Sequence, residues 1–177
     1  MKDLNKMTFD KPKPSMTEAS CDKAVDNILH LYHGSKSGLK GTPKPKSRKI
    51  CDFGSGLYLG DNPNQPKSLI SRKGFTSSVL YDVQLDLSNL TILDLRKDNR
   101  MWCLFVAYNR KAFDCTQYPR LMQIFYKYEN AYDVIIGPIA DDKMTLVLDR
   151  FLSNLMTDVA LYNALNLLSR GNLLNIY

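Results

Sequence analysis

The succession of apolar segments predicts an α+β fold with largely antiparallel pairing and flanking helices. Three observations carry this. Val79, Tyr81, Val83, Leu85 and Leu87 alternate with more polar residues, the period of a half-buried strand. Met101–Tyr108, Leu121–Tyr128, Lys143–Leu155 and Asp158–Leu168 space their apolar residues at helical intervals. The elements then run strand, strand, strand pair, helices, strand, helices, without the regular βα alternation of a doubly wound sheet.

Taken in order, Met1 to Ala19 is polar and rich in Lys and Pro, with no apolar stretch of the secretory kind. Residues 1–26 therefore read as a flexible lead-in, and residues 27–177 as a single domain. Ile28 to Tyr32 is a short apolar run ending at His33-Gly34-Ser35, a strand feeding a turn. A Gly/Pro-rich loop follows to about Ile50. Cys51 to Gly60 reads as a glycine-punctuated aromatic strand. Asp61 or Asn62 can cap a short helix over Asn64–Arg72, with Pro66 near its start. The alternating strand at Val79–Leu87 precedes a second at Thr91–Leu95. Pro119 suits a helical first turn, Tyr132–Gly137 reads as a buried strand, and Thr157 is placed to cap the last helix.

At 177 residues and 44% hydrophobic content the chain can enclose a core. No run of about 18 apolar residues is present, which excludes a transmembrane helix and a membrane partner of that kind. Cys21, Cys51, Cys103 and Cys115 lack metal-ligand spacing with one another or with histidine, so no metal site is expected. Reduced thiols in a cytoplasmic protein are the plain expectation. The net charge of +6 is localised. Residues 1–35 hold five lysines and five acids, and residues 50–177 hold thirteen cations and thirteen acids. The excess lies in Lys36, Lys40, Lys44, Lys46, Arg48 and Lys49, which read either as a binding loop for phosphates, nucleic acid or an acidic protein, or as a solvated loop with no partner.

Asp52-Phe53-Gly54-Ser55-Gly56 has neither the lysine of a phosphate loop nor the third glycine of a dinucleotide fingerprint. It is not a kinase metal-binding motif either, because no catalytic loop precedes it. Two glycines before Leu57-Tyr58 lay backbone close to something flat or bulky, and an aromatic presented there suits stacking on a planar ring. A tight bulge with Tyr58 in the core serves the same residues. His33, ending a strand before a bare glycine, can donate to a ribose hydroxyl or a carbonyl, or can bond the local turn. His30 reads as structural.

In combination, Tyr32-His33-Gly34-Ser35, Gly38-Leu39 and Asp52-Phe53-Gly54-Ser55-Gly56-Leu57-Tyr58-Leu59 resemble the NAD-binding half of the diphtheria-toxin-like and poly-ADP-ribose-polymerase-like ADP-ribosyltransferases. The closer match is to an uncharacterised bacterial and phage family of that fold, similar also at Tyr132–Gly137 and at Ala140-Asp141-Asp142. The resemblance covers about Leu31 to the C-terminus. It implies two small split sheets and an NAD pocket without a Rossmann fold. Tyr32, His33, Gly34 and Ser35 would lie along the nicotinamide ribose, with His33 bonding it and the Gly34 backbone pairing to the carboxamide. Phe53, Gly54, Gly56 and Leu57 would carry Tyr58 onto the nicotinamide ring. NAD would be the substrate, its ADP-ribose passing to a protein, a nucleic acid or water in a toxin, phage or defence setting. The other reading is a catalytically degenerate module that binds a protein or nucleic acid.

Many such transferases place a glutamate on a late strand. Here Glu18 lies in the lead-in and Glu129 ends a helix, and neither matches that place. The corresponding turn looks like Gly171-Asn172-Leu173-Leu174, which puts the matching polar positions near Asn175 and Ile176. Asp141 and Asp142 are the aspartates that the resemblance sets beside the site as catalytic candidates. They equally suit the N-cap and first turn of the helix beginning near Lys143.

Overall fold

In the computed structural model, which describes residues 7–10, 27–43, 50–71, 77–112, 114–140 and 143–176, strands and helices form an α+β fold. The chain falls into two compact units: Met1–Pro43 with Leu59–Asn89, and Lys44–Tyr58 with Leu90–Tyr177.

The first unit contains β1 (Met7–Asp10), β2 (Ile28–Ser35), the last two residues of β3 (Leu57–Gly60), α1 (Asn64–Ile70) and β4 (Val79–Asp86). The alternation that predicts β4 produces its buried face. Val83 and Leu85 are buried, and Gln84 between them is exposed. β4 pairs antiparallel with β2 over its whole length, from Ile28↔Asp86 to Ser35↔Val79, which sets Leu31 opposite Val83 in the core. β2 in turn meets β3 at Tyr32↔Gly60. On the other edge of β4 lies β1, from Met7↔Leu85 to Asp10↔Asp82. A strand inside the expected flexible lead-in is a correction. The period-two spacing of Met7 and Phe9 is its sequence signal, too short to stand against flanking charge. α1 ends at Ile70. Its expected cap is realised one residue early, the Asn62 side chain accepting from the Asn64 N–H at 2.9 Å while Pro63 takes the N-cap position.

The second unit contains β5 (Ile92–Asp94), α2 (Asn99–Asn109), a 3-10 turn at Cys115–Gln117, α3 (Pro119–Ala131), β6 (Val134–Ala140), α4 (Met144–Leu152), α5 (Asp158–Leu168) and β7 (Ser169–Ile176). β6 is central, parallel to β5 and antiparallel to β7. β5 therefore pairs with β6 and not with β4, as its nearness in sequence to β4 suggests. A parallel step needs a long crossover, and α2 and α3 supply it. Strands covered on both faces read as continuous apolar runs, and Val134, Ile135 and Ile136 are all buried. Pro138 cannot donate to a ladder. It falls at the register irregularity between Pro138 and Ile139, and its carbonyl accepts from the Trp102 indole at 2.9 Å.

Helix starts follow local chemistry. Asp98 accepts from the Met101 N–H at 3.1 Å, Pro119 opens α3, and Thr157 accepts from the Ala160 N–H at 3.2 Å. The core gathers Phe53, Trp102, Phe105, Phe125, Met144, Leu148 and Leu161. Phe105 lies stacked against Phe53 (centroids 6.2 Å apart) and edge-on to Tyr128 (5.4 Å). β7 starts at Ser169, ahead of Gly171, and not after the Gly171–Leu174 turn. Among the described residues no helix is long and apolar enough to cross a membrane, and no group of His, Cys, Asp or Glu could hold a metal ion.

Candidate functional site

The residues singled out by sequence form two clusters, one in each unit. In the first, β2 delivers Tyr32, His33, Gly34 and Ser35, all partly buried, at the strand's C-terminal end. The register places His33 opposite Tyr81 of β4, with ring centroids 6.5 Å apart. The Tyr81 hydroxyl accepts from the Leu39 N–H at 2.9 Å, so the loop after β2 is tied back to the strand neighbouring His33. Gly34 has its bare side turned to α1, where an added Cβ would lie 2.9 Å from Ile70 Cγ2. Helix packing thus gives that glycine a use independent of any ligand. Lys36 and Lys40 are exposed. Lys44, Lys46, Arg48 and Lys49 lie outside the described residues.

The second cluster is the segment from Cys51 to Tyr58, expected as a strand from Cys51 onward. Only Leu57–Gly60 is strand, and the residues before it form a turn. Gly54 breaks the extended run. Its φ of +80° suits glycine, and its N–H closes onto the Cys51 carbonyl at 3.3 Å. The Tyr58 hydroxyl then staples the turn, accepting from the Phe53 N–H at 2.9 Å and donating to the Gly54 carbonyl at 2.7 Å. The Tyr58 ring is half-buried against the core, the Phe53 ring fully buried, and Leu57 buried with it.

Side chains from elsewhere in the unit hold this turn from outside. Arg110, just past the end of α2, donates from Nε to Asp52 at 2.8 Å, with its Nη2 2.7 Å from the same oxygen. The other Asp52 oxygen accepts from the Ala140 N–H, and Arg110 donates to the Ala140 carbonyl, each at 3.4 Å. The ion pair thereby clasps the end of β6. From β7 the fully buried Asn175 donates Nδ2 to the Phe53 carbonyl at 3.1 Å. Beneath Gly54 lies Asn109, whose Oδ1 would be 2.9 Å from a Cβ added there.

A family model describing a protein of unknown function, DUF3990, matches residues 29–174. The chain belongs to this DUF3990 family. No curated protein and no solved structure matches it. The match spans both clusters of this DUF3990 chain, from β2 into β7.

Against the expected site residues, the structure brings Phe53, Gly54, Gly56, Leu57 and Tyr58 together in one strapped turn, and Tyr32, His33, Gly34 and Ser35 together on β2. Asp141 and Asp142 lie outside the described residues. The N-cap of α4 is Lys143, which makes no side-chain capping bond. Glu129 lies in the last turn of α3, not on a late strand, and is half-buried with Oε1 3.8 Å from the Cβ position of Gly54. Burial raises its pKa above the usual carboxylate value, opposed by Lys111, and its charge adds to the burial that raises Tyr108. The available signal was its spacing, one turn beyond the buried Phe125. Asn109 and Arg110 were missed altogether. A polar pair ending an apolar helix face is their only mark in the sequence.

Proposed function

We propose that this DUF3990 chain binds NAD as a substrate and transfers its ADP-ribose to a macromolecular acceptor or to water, as an ADP-ribosyltransferase-like enzyme. His33 would bond the nicotinamide ribose and the Gly34 backbone the carboxamide, while Tyr58 stacks on the nicotinamide ring. The observation that carries this reading is the stapled turn. The Tyr58 hydroxyl proton is engaged by the Gly54 carbonyl, so what this tyrosine offers a ligand is a fixed, half-exposed ring, the chemistry of stacking. A ring held this way needs no ordering when a planar ligand arrives, which lowers the entropy cost of binding.

Breaking the glycosidic bond develops positive charge on the ribose, and a preorganised carboxylate would stabilise it. Asn175, on the late strand near the position expected for that carboxylate, is a neutral amide. This supports slow turnover, with Asp141, Asp142 or Glu129 left to supply the charge. The same amide favours a second reading, a module that keeps NAD or partner recognition without catalysis. Lys36 and Lys40, exposed beside β2, suit an anionic acceptor such as a nucleic acid or an acidic protein surface. A cytoplasmic setting, in a toxin, phage or defence role, fits reduced cysteines.

Incubation with NAD labelled in its adenylate moiety, with and without cell extract, tests the reading. Release of nicotinamide with a labelled macromolecule, or with labelled free ADP-ribose, is the expected result. NAD binding without either product leaves the non-catalytic module, and no NAD binding at all rejects both forms of the NAD reading.

A further inference from the structure

We infer that Asn175 is a positioning residue: its buried amide sets the shape of the Phe53–Tyr58 turn and so the attitude of the Tyr58 ring. Three observations converge on it. Its side chain is fully buried on β7, and its Nδ2 donates to the Phe53 carbonyl at 3.1 Å, across 122 residues of sequence. Phe53 is also the residue whose N–H bonds the Tyr58 hydroxyl, so both polar groups of one peptide-bearing residue are spoken for, one by Asn175 and one by Tyr58. On its other side the Asn175 amide lies directly against Gly56, where an added Cβ would collide with it.

The chemistry is specific to an amide. Asn175 Oδ1 is buried and has no hydrogen-bond partner among the described residues, resting beside the Gly56 backbone. An apolar side chain of similar shape would avoid that unpaired oxygen, which is costly to bury. The donor is therefore the reason for asparagine here. A carboxylate of the same shape could not donate to the Phe53 carbonyl and would turn a negative oxygen toward it. Register adds a control, because Asn175 is paired with Ile135 in the β6–β7 ladder. Loosening the turn and losing the strand can be read separately.

The inference rests on the NAD reading only where it concerns ligand affinity; its structural half is measured without ligand. Amide hydrogen exchange is followed by NMR at Phe53 and Ile135 in the full chain and in two variants, Asn175→Leu and Asn175→Ala. The first keeps the shape and loses the donor, and the second loses both. Phe53 exchange about tenfold faster in each variant, with Ile135 unchanged, is the expected signature. Phe53 exchange unchanged in both, or Phe53 and Ile135 accelerating together, overturns the positioning role. If either variant fails to fold, the other decides alone. NAD titration then separates the two layers. Wild-type binding weakened about tenfold in the variants supports both, and wild-type binding unchanged in them overturns the link to Tyr58. No wild-type binding rejects the NAD reading and leaves the exchange result standing.

Discussion

The two motif segments look alike in sequence, each a short apolar run punctuated by glycine and ending in an aromatic or histidine, yet they are built in opposite ways. His33 sits on a long strand whose geometry comes from backbone pairing, eight residues of β2 against eight of β4. Tyr58 sits in β3, just after a turn whose geometry comes from side chains: Asp52 with Arg110, Asn175 with the Phe53 carbonyl, and its own hydroxyl. A ladder tolerates changes of side chain because the bonds belong to the backbone. A strapped turn does not. Residues around Tyr58 therefore carry the stability of their turn through side chains, whereas the geometry at His33 is set by the β2–β4 ladder.

The largest break in this contrast is Gly56→Ala. A methyl group there meets the Asn175 amide, which is itself enclosed and held by Phe53. Overpacking of this kind costs up to about 3 kcal/mol, a fall of roughly 10 °C in Tm for a chain of this size. Calorimetry of the variant checks it, and a loss under about 2 °C would show that the amide swings away freely. Next comes the clasp. Arg110→Ala leaves the mostly buried Asp52 carboxylate without its cation, at a cost of about 2–3 kcal/mol. In a urea double-mutant cycle, adding Asp52→Ala to it should cost little more, because both changes remove one interaction.

Smaller effects separate the two motifs from each other. Tyr58→Phe removes the staple and should lower stability by about 1–2 kcal/mol while keeping the ring. If stacking is the role of that ring, NAD affinity survives in Tyr58→Phe within about threefold and drops about tenfold in Tyr58→Ala. His33→Ala should do the reverse of Tyr58→Phe. On the NAD reading, affinity falls about fivefold to tenfold through one lost hydrogen bond, and Tm falls less than in Tyr58→Phe. Isothermal titration beside thermal melts reads all three, and a large Tm loss in His33→Ala would erase the distinction drawn between the segments.

The same difference explains which parts were legible beforehand. β4, the helices and the Thr157 cap declare themselves through local period and local capping, and the structure returns them nearly in place. The extended reading of Cys51–Gly56 failed because Gly54 takes a positive φ inside a segment whose composition is that of a strand. Hydrogen-bond partners of that turn from other elements lie 58 to 122 residues away, and no local pattern announces such contacts. Thus Asn109, Arg110 and Glu129 carry only weak local marks, and Asn175 shows only through a resemblance of order. β1 escaped for a different reason. Four residues within a charged lead-in offer too short an alternation to compete with disorder as a reading.

Glu129 gives the finest test, because it lies beside the strapped turn without strapping it. Its carboxyl is raised above the ordinary value of 4.5, first by burial, against the attraction of Lys111. A raised acid binds its proton more tightly folded than unfolded. Its contribution to stability is therefore greatest at low pH, and it is lost as pH rises from the unfolded value through the higher folded one. Asp94 and Asp114, both lowered by hydrogen bonds, act in the opposite direction and lose their contribution as pH falls. Subtracting the stability curve of Glu129→Gln from that of the wild type cancels those two groups and isolates Glu129. The difference should favour the wild type near pH 4, relative to neutrality, and decline through the interval just above 4.5. The group is half-exposed, so solvent screening keeps the amplitude small. A flat difference curve would mean that Glu129 meets water as freely as an unfolded glutamate, and that the ground beneath Gly54 is open to solvent.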